Sequence, residues 1–308
     1  MAEIVRSGFV EGHHRGSVVA LHAGGRVLLE RGDVTSPVFA RSCNKPLQAV
    51  AMVECGLRLE PDLLALACSS HSGEAYHVAG VRRILAGAGL DERALQTPAD
   101  WPLDEDAREA VQREWGTKAP VRMNCSGKHA AMLATCVVND WDTATYLDPA
   151  HPLQGAIAAS FVELTAEPVA ATGVDGCGAP VLSTSLTGLA RAFSTVVTAA
   201  DGAAAEVAEA IRRHPTMVSG SRRDEAALLA ALPGAIAKAG AEASYAVALV
   251  DGRAVALKID DGSMRARPVV MAAALLALGV THPVLEQQAR SPVLGGGRAV
   301  GEIRAVLD

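Results

Sequence analysis

Lysine is scarce in this chain. Only five (Lys45, Lys118, Lys128, Lys238 and Lys258) stand among 28 basic residues, so arginine is the ordinary surface cation. Arginine cannot give up its proton in a protein and lysine can, and three of the five lysines fall in motif-like settings, which marks them for chemistry. A basic cluster is missing as well. With a net charge of −6 and a sequence pI near 5.9, neither nucleic acid nor an anionic membrane is expected as a partner. Residues 1–8 lack an apolar h-region, and the longest uncharged apolar run, 268–280, is too short to span a bilayer; a cytoplasmic location is expected. No C-x-x-C pair occurs among Cys43, Cys55, Cys68, Cys125, Cys136 and Cys177, which excludes the usual four-ligand structural zinc pattern. In a reducing compartment these are free thiols, core fillers or metal ligands. Half of the residues are hydrophobic and the mean hydropathy is +0.21, which excludes a disordered chain. A chain of 308 residues can bury a large core in one or two lobes.

What is present concentrates first in Arg41-Ser42-Cys43-Asn44-Lys45-Pro46. Ser42 and Lys45 are three apart, so on a helix they share a face and the amine can reach the hydroxyl it would deprotonate. Proline is tolerated only in the first helical turn, so Pro46 places the helix start no earlier than about Ser42. The apolar run 47–55 then stops at Gly56, a C-terminal cap. Because Lys45 precedes a proline it is biased away from helical geometry. With a helix that starts at Pro46, the pair lies in the entering turn. Two fixed positions are a weak signal alone, and many proteins carry them by chance.

Residues 4–38 read as β, with a hairpin around Ala23-Gly24-Gly25. Helices are expected at 61–68, 74–85, 104–115, 130–138 and 152–164, with His151 and His214, each before a proline, as boundary residues. A strand at 169–174 runs into Asp175-Gly176-Cys177-Gly178-Ala179-Pro180, a turn too rich in glycine for regular structure. Helices follow at 187–195, 202–213 and 224–232. A hairpin over 245–259 turns at Asp251-Gly252, and a helix at 268–278 and a strand at 302–307 close the chain. On the second strand of that hairpin Lys258 shares a face with Ala254 and Ala256, which leaves space above the sheet for a small ligand. The order of elements predicts a mixed α/β (α+β) fold, with one sheet built from both termini and a helical insertion. The chain reads as one catalytic unit, with a sheet lobe of 1–58 plus 165–308 and a mostly helical lobe of 59–164.

Two further constellations carry chemistry. Cys125-Ser126-Gly127-Lys128-His129, followed later by Asp175-Gly176-Cys177, offers two thiols, an amine, an imidazole and a carboxylate. Cys125 and Lys128 at a helix start can point at one ion, although a core-filling cysteine before a helix start is the commoner arrangement. A metal there would have three protein ligands and an open position, and the lysine would have to lose its proton first. Ser70-His71 offers a second hydroxyl beside a base, or equally a turn that caps the next helix.

Taken together, Arg41-Ser42-x-x-Lys45-Pro46-x-Gln48, Ser70-His71-x-Gly73-Glu74, Asn124-Cys125-Ser126-Gly127-Lys128-His129, His151-Pro152-x-Gln154, Asp175-Gly176-Cys177-Gly178-x-Pro180 and Leu257-Lys258-x-x-Asp261-Gly262 resemble the Rhizobium etli-type L-asparaginases over nearly the whole chain. The resemblance implies a serine β-lactamase or penicillin-binding-protein-like fold, with one mostly antiparallel sheet flanked by helices, L-asparagine amidohydrolase activity and a homodimer. It implies two Ser/Lys pairs, Ser42 with Lys45 and Ser70 with Lys258, and one zinc ion near the substrate on Cys125, Lys128 and Cys177. Arg41, His71, Glu74, Asn124, Gly127, His129 and Asp175 go with it as substrate-binding residues, Asp175 as an anchor for the α-amine. Two stretches depart from the pattern: Gln96-Thr97-Pro98 stands where Cys-Gly is expected, and residues 238–243 replace a glycine-rich stretch. Ser42 is the favoured nucleophile, because its lysine is fixed on the same local element. A β-lactam-type serine hydrolase and a non-catalytic amino-acid or zinc-binding protein are the rival readings; Lys258 is followed by Ile259-Asp260, so the lysine strand of the β-lactam enzymes is missing.

Overall fold

The hairpin read at Asp251-Gly252 forms the middle of the main sheet. Strands Ser244–Ala248 and Ala254–Ile259 pair antiparallel, with Val255 opposite Val247 and Lys258 opposite Ser244. Gly252 takes φ +86, the left-handed backbone that a tight turn needs and that glycine adopts without a Cβ penalty. On its other side Ala254–Ile259 pairs with Gly16–Leu21, a strand from the far end of the chain. The computed structural model, which describes residues 1–307, completes this antiparallel five-stranded sheet with Val27–Arg31 at one edge and Ile236–Ala239 at the other.

The expected mixed α/β class with an antiparallel sheet from both termini is therefore met, and the sheet content is larger than expected. A four-stranded sheet in the order Arg290–Gly295, Arg298–Ala305, Ala2–Arg6, Phe9–His14 joins the two termini. A three-stranded one unites Val38–Phe39, Pro180–Thr184 and Thr172–Val174. The first stretch of β is split at Arg15, after which the chain changes sheets. Gly16 permits that crossing, because a Cβ there would lie 2.3 Å from the Lys258 carbonyl oxygen. Strand Arg290–Gly295 escaped the sequence reading because it holds Pro292, which is compatible only with an edge strand such as this one.

Helices Pro61–Ala67, Ala75–Gly87, Glu105–Arg113 and Pro152–Thr165 lie within about two residues of the expected bounds, whereas Ser126–Val138 starts a full turn earlier than the expected 130 and takes residues 126–129 into the helix. One continuous apolar core takes in residues from Ala2 to Ile303, so the helical segment and the sheets share it. Helices Leu186–Thr198 and Ala266–Ala277 pack on the central strands. No helix among the described residues is long and apolar enough to cross a membrane.

One ionic feature sits inside this core. Lys238, on the edge strand Ile236–Ala239, and Glu225, on helix Asp224–Ala231, are both 0% exposed and 3.0 Å apart. Lys238 also donates to the Ala239 carbonyl at 2.8 Å, and Glu225 accepts the Ala239 N–H at 3.1 Å. Breaking a fully desolvated pair leaves a buried charge, whereas replacing both partners by apolar groups does not. Either Lys238→Met or Glu225→Leu alone is therefore expected to cost about 3–5 kcal/mol, and the double variant clearly less than the sum. Urea unfolding of the three variants checks this, and additive losses would count against it.

Candidate active site

The start of helix Lys45–Glu54 organises the cleft. Residues Arg41–Asn44 form a 3-10 turn that passes into the helix at Lys45, with Pro46 in the first turn. Ser42 thus lies in the entering turn, ahead of the helix proper. Burial of Lys45 is nearly complete, at 1% exposure, so its amine must bond inside the protein. It reaches the Ser69 carbonyl oxygen at 2.5 Å, Ser70 Oγ at 2.9 Å and Cys125 Sγ at 3.1 Å.

These contacts pair the residues differently from the expectation. Lys45 bonds Ser70 and not Ser42, and the Ser42 hydroxyl has no hydrogen-bond partner among the described residues. Ser70, expected beside Lys258, answers to Lys45. Lys258 instead donates to the Glu242 carbonyl at 2.9 Å. The reason is local: helix Pro61–Ala67 ends at Cys68 and delivers Ser69 and Ser70 directly over the Lys45 amine. Ser42 and Ser70 nonetheless open on one cleft of about 410 Å³, together with Asn124, Gly240, Glu242 and Arg223. Gly240 is required there, because a Cβ on it would lie 2.9 Å from the Ala40 carbonyl and 3.2 Å from the Ser42 nitrogen.

Arg41 takes φ +53, an uncommon conformation for a residue with a side chain, and ion-pairs with Asp175 at 2.7 Å. Three donors, two from Arg41 and the Gly176 N–H, converge on Asp175 Oδ1. Oδ2 is left without a partner among the described residues. Asp175 opens the turn predicted from its glycines: Gly178 takes φ +88 and its N–H closes back onto the Asp175 carbonyl at 2.8 Å. Cys177 at the tip is thereby carried into the protein, to within 3.2 Å of Lys128 Nζ.

Cys125, Cys177 and Lys128 do meet, buried beside Met123 and Ala179. The Cys125 thiol donates to Asn124 Oδ1 at 3.1 Å, and its bonding interaction with Cys177 together with burial pushes it well above the ordinary value. The same interaction, with the charge of Lys128 and contact with His129, holds Cys177 toward thiolate. Burial opposes the Lys128 charge, but the two sulfurs outweigh it and raise the amine above the usual lysine value. His129 bonds Tyr146 at 2.7 Å, and burial lowers its imidazole to about 4.

Of the seven substrate contacts implied by the resemblance, Asn124 lines the cleft itself, Arg41 and Asp175 pair beside its Glu242, and His71, Glu74, Gly127 and His129 are engaged elsewhere. His71 is 0% exposed. Its Nδ1 accepts the Gly73 N–H, so Nε2 carries the proton toward Ser126 Oγ at 2.8 Å. Burial keeps that ring neutral, well below the ordinary histidine value; His71 ties the Ser70 loop to the next helix. Glu74 binds the Ser221 N–H and hydroxyl at 3.0 and 2.6 Å. Gly127 serves packing, because a Cβ on it would fall 2.5 Å from the Leu66 carbonyl. Asn124 does line the cleft, and its carbonyl accepts the His71 N–H at 3.0 Å.

The chain belongs to the L-asparaginase II family. The model of that family matches residues 2–305. No curated protein matches the chain. Among solved structures, a β-lactamase from Mycobacterium bovis is 13% identical over 86% of this chain and 95% of its own, with a TM-score of 0.45. EstCE1, a hydrolase with promiscuous acyltransferase activity, is 13% identical over 80% and 88%, with a TM-score of 0.40. Membership of the L-asparaginase II family places the chain among hydrolases acting on a small molecule.

Among the described residues no group of three or more His, Cys, Asp or Glu forms a metal site. The two thiols of this L-asparaginase II chain fall one short of that count, and Lys128 is the third donor. Soft, converging sulfurs fit zinc, and the amine, charged here, would have to release its proton to bind.

Sequence reasoning missed Arg223 in the cleft wall, and it missed Lys238, read only as part of a substituted stretch. The signal for Lys238 was its rarity: a lysine with alanines on both sides, in a chain whose surface cation is arginine, points inward. Lys258 supplies a test of the electrostatics. Burial lowers its amine below the ordinary lysine value, Glu242 opposing and Arg41 assisting. The neutral amine should therefore appear at lower pH than in a free lysine. Acetylation followed by peptide mass mapping, run across pH, should give a midpoint below 10.5 for Lys258; a midpoint at or above it would count against this environment.

Proposed function

We propose that the protein hydrolyses L-asparagine to L-aspartate and ammonia through a serine/lysine centre. The observation that carries the reading is the bond from Lys45 to Ser70 Oγ in a cleft that Ser42 also lines, in a chain of the L-asparaginase II family.

In this reading the Ser42 hydroxyl attacks the side-chain amide carbon. That hydroxyl, unpartnered among the described residues, has to bond Ser70 across the cleft when substrate binds, so that its proton passes to Ser70 as the Ser70 proton passes to Lys45, acting in its neutral form. A neutral amine has two N–H donors and one lone pair, which suits Ser69 O and Cys125 Sγ as acceptors and Ser70 O–H as donor. Asn124 lines the cleft, and its side-chain N–H would donate to the developing oxyanion, its Oδ1 being taken by the Cys125 thiol. Collapse of the tetrahedral species breaks the C–N bond, and the protons return through Ser70 to the leaving ammonia. Water then cleaves the ester by the same relay and releases aspartate. Asp175 Oδ2 receives the substrate ammonium. Cys125, Lys128 and Cys177 would hold zinc, which when bound supplies a Lewis acid beside the cleft. The homodimer implied by the resemblance belongs to this reading, as does asparagine preferred over glutamine.

A second assignment has one observation in its favour: Ser70 is the hydroxyl in contact with the amine. Rapid-quench intact-mass analysis with asparagine, followed by peptide mapping, separates the two. The β-aspartyl adduct is expected on the peptide holding Ser42 and should vanish in Ser42→Ala, whereas an adduct on Ser70 with Ser42 unmodified reverses the roles. Absence of ammonia release from asparagine would remove the reading altogether.

For the metal, protein purified without chelators should hold about one zinc per chain, the number a three-donor site with one open position takes. Cys125→Ser and Cys177→Ser should each release most of it and raise KM more than they lower kcat. Elemental analysis of wild type after zinc soaking and dialysis decides, and no bound zinc would exclude the site.

A further inference from the structure

Arg223 lines the Ser42/Ser70 cleft and also a second pocket, which Ser221, Arg222 and Asp224 line with it, and its neighbours in the segment are committed to fixed partners. Ser221 is held by Glu74 at 2.6 Å through its hydroxyl. Arg222 pairs with Asp104 and Asp106, both at 2.6 Å. Asp224 takes Arg267 through two bonds of 2.6 and 2.7 Å. Between these anchors stands Arg223, half-buried and lining the cleft, with no hydrogen-bond or ion-pair partner for its guanidinium among the described residues.

The other cation lining the cleft is already engaged. Arg267 is 3% exposed, bound to Asp224 and stacked over the Tyr245 ring at 5.1 Å. The anion that lines the cleft, Glu242, is 60% exposed and 3.9 Å from Arg41. One uncommitted cation and one largely solvated anion therefore flank the two serines. That is the charge pattern of a zwitterion, with its ammonium toward Asp175 and Glu242 and its carboxylate toward Arg223. A guanidinium offers a planar fork of donors that matches a carboxylate, and a carrier segment pinned on both sides loses little freedom on binding.

We propose that Arg223 recognises the α-carboxylate of the substrate and so selects a free α-amino acid over an amide that lacks this group. The inference rests on the asparaginase reading above. The contact is made alike in the ground and transition states, so its loss should appear in KM rather than kcat.

The test compares L-asparagine with 3-aminopropanamide, which is asparagine without its α-carboxylate, in wild type, Arg223→Ala and Arg223→Lys. The backbone role of Arg223, whose carbonyl accepts the Ala227 N–H at 3.1 Å, does not use the side chain, so the variants should fold. Arg223→Ala should raise KM for asparagine about tenfold or more, as loss of a charge-assisted bond predicts. It should leave kcat within a few-fold and 3-aminopropanamide hydrolysis unchanged, and Arg223→Lys should fall between. Equal losses on both amides, or no loss on asparagine, would overturn the assignment. Should wild type turn over neither amide, the asparaginase reading fails and calorimetric titration with L-aspartate decides Arg223 by itself. Binding to wild type that disappears in Arg223→Ala sustains it, and equal binding, or none to wild type, rejects it.

Discussion

The structure depends on how a lysine amine is accommodated in a protein interior. Lys45 is 1% exposed, and its contacts are a carbonyl, a hydroxyl and a thiol from two other parts of the chain. An unpartnered amine at that depth would cost several kcal/mol, so those groups have to be brought to it. Ser69 and Ser70 come from the end of helix Pro61–Ala67 and Cys125 from the start of helix Ser126–Val138. The packing glycine Gly127, which lets these helices approach at Leu66, thereby acts on the chemistry without touching a substrate. So does His71, whose neutral ring joins the Ser70 loop to Ser126.

The opposite wall is held by a second set of constraints. Arg41, with left-handed backbone, holds Asp175 through its guanidinium, and the Asp175 turn in return fixes Cys177 against Lys128. Strain at one residue, a salt bridge and a glycine-rich turn therefore link the Ser42 turn to the thiol set. The Lys238–Glu225 pair plays a comparable part for the strand edge, because both partners bond Ala239, the residue before the Gly240 that abuts Ser42.

Much of this was legible in the sequence where one local rule decided the outcome. Asp251-Gly252 is a hairpin because the turn needs positive φ, and the hairpin formed. Pro46, Pro61 and Pro152 mark helix starts because only the first turn tolerates proline, and those helices begin within a residue of each. The grouping of Cys125, Lys128 and Cys177 came from the family resemblance, and the three are together. Illegible were the facts set by tertiary contact. Spacing could say that Ser42 and Lys45 share a face, but not that a second serine would sit closer to the amine. Motif membership likewise could not separate Asn124, which faces the cleft, from Gly127 and His71, which hold its frame. Arg223 belongs to no motif, and its interest lies entirely in what its neighbours bond.

The scarcity of lysine acquires a physical meaning in the interior. Lys45, Lys128 and Lys238 are all at or below 1% exposure, and each answers the cost of a buried charge differently. Lys238 has a carboxylate, which keeps an ammonium in place as a structural ion. Lys128 has a sulfur held toward thiolate, which also favours the charged amine and leaves a soft anion beside it. Lys45 has no carboxylate among its hydrogen-bond partners, and the carbonyl, hydroxyl and thiol it does have can be satisfied by a neutral amine as well as by an ammonium. Lys45 is thus the buried lysine with no anionic hydrogen-bond partner and with a serine hydroxyl against its amine. Arginine, with no accessible neutral form, could not act as a base in its place.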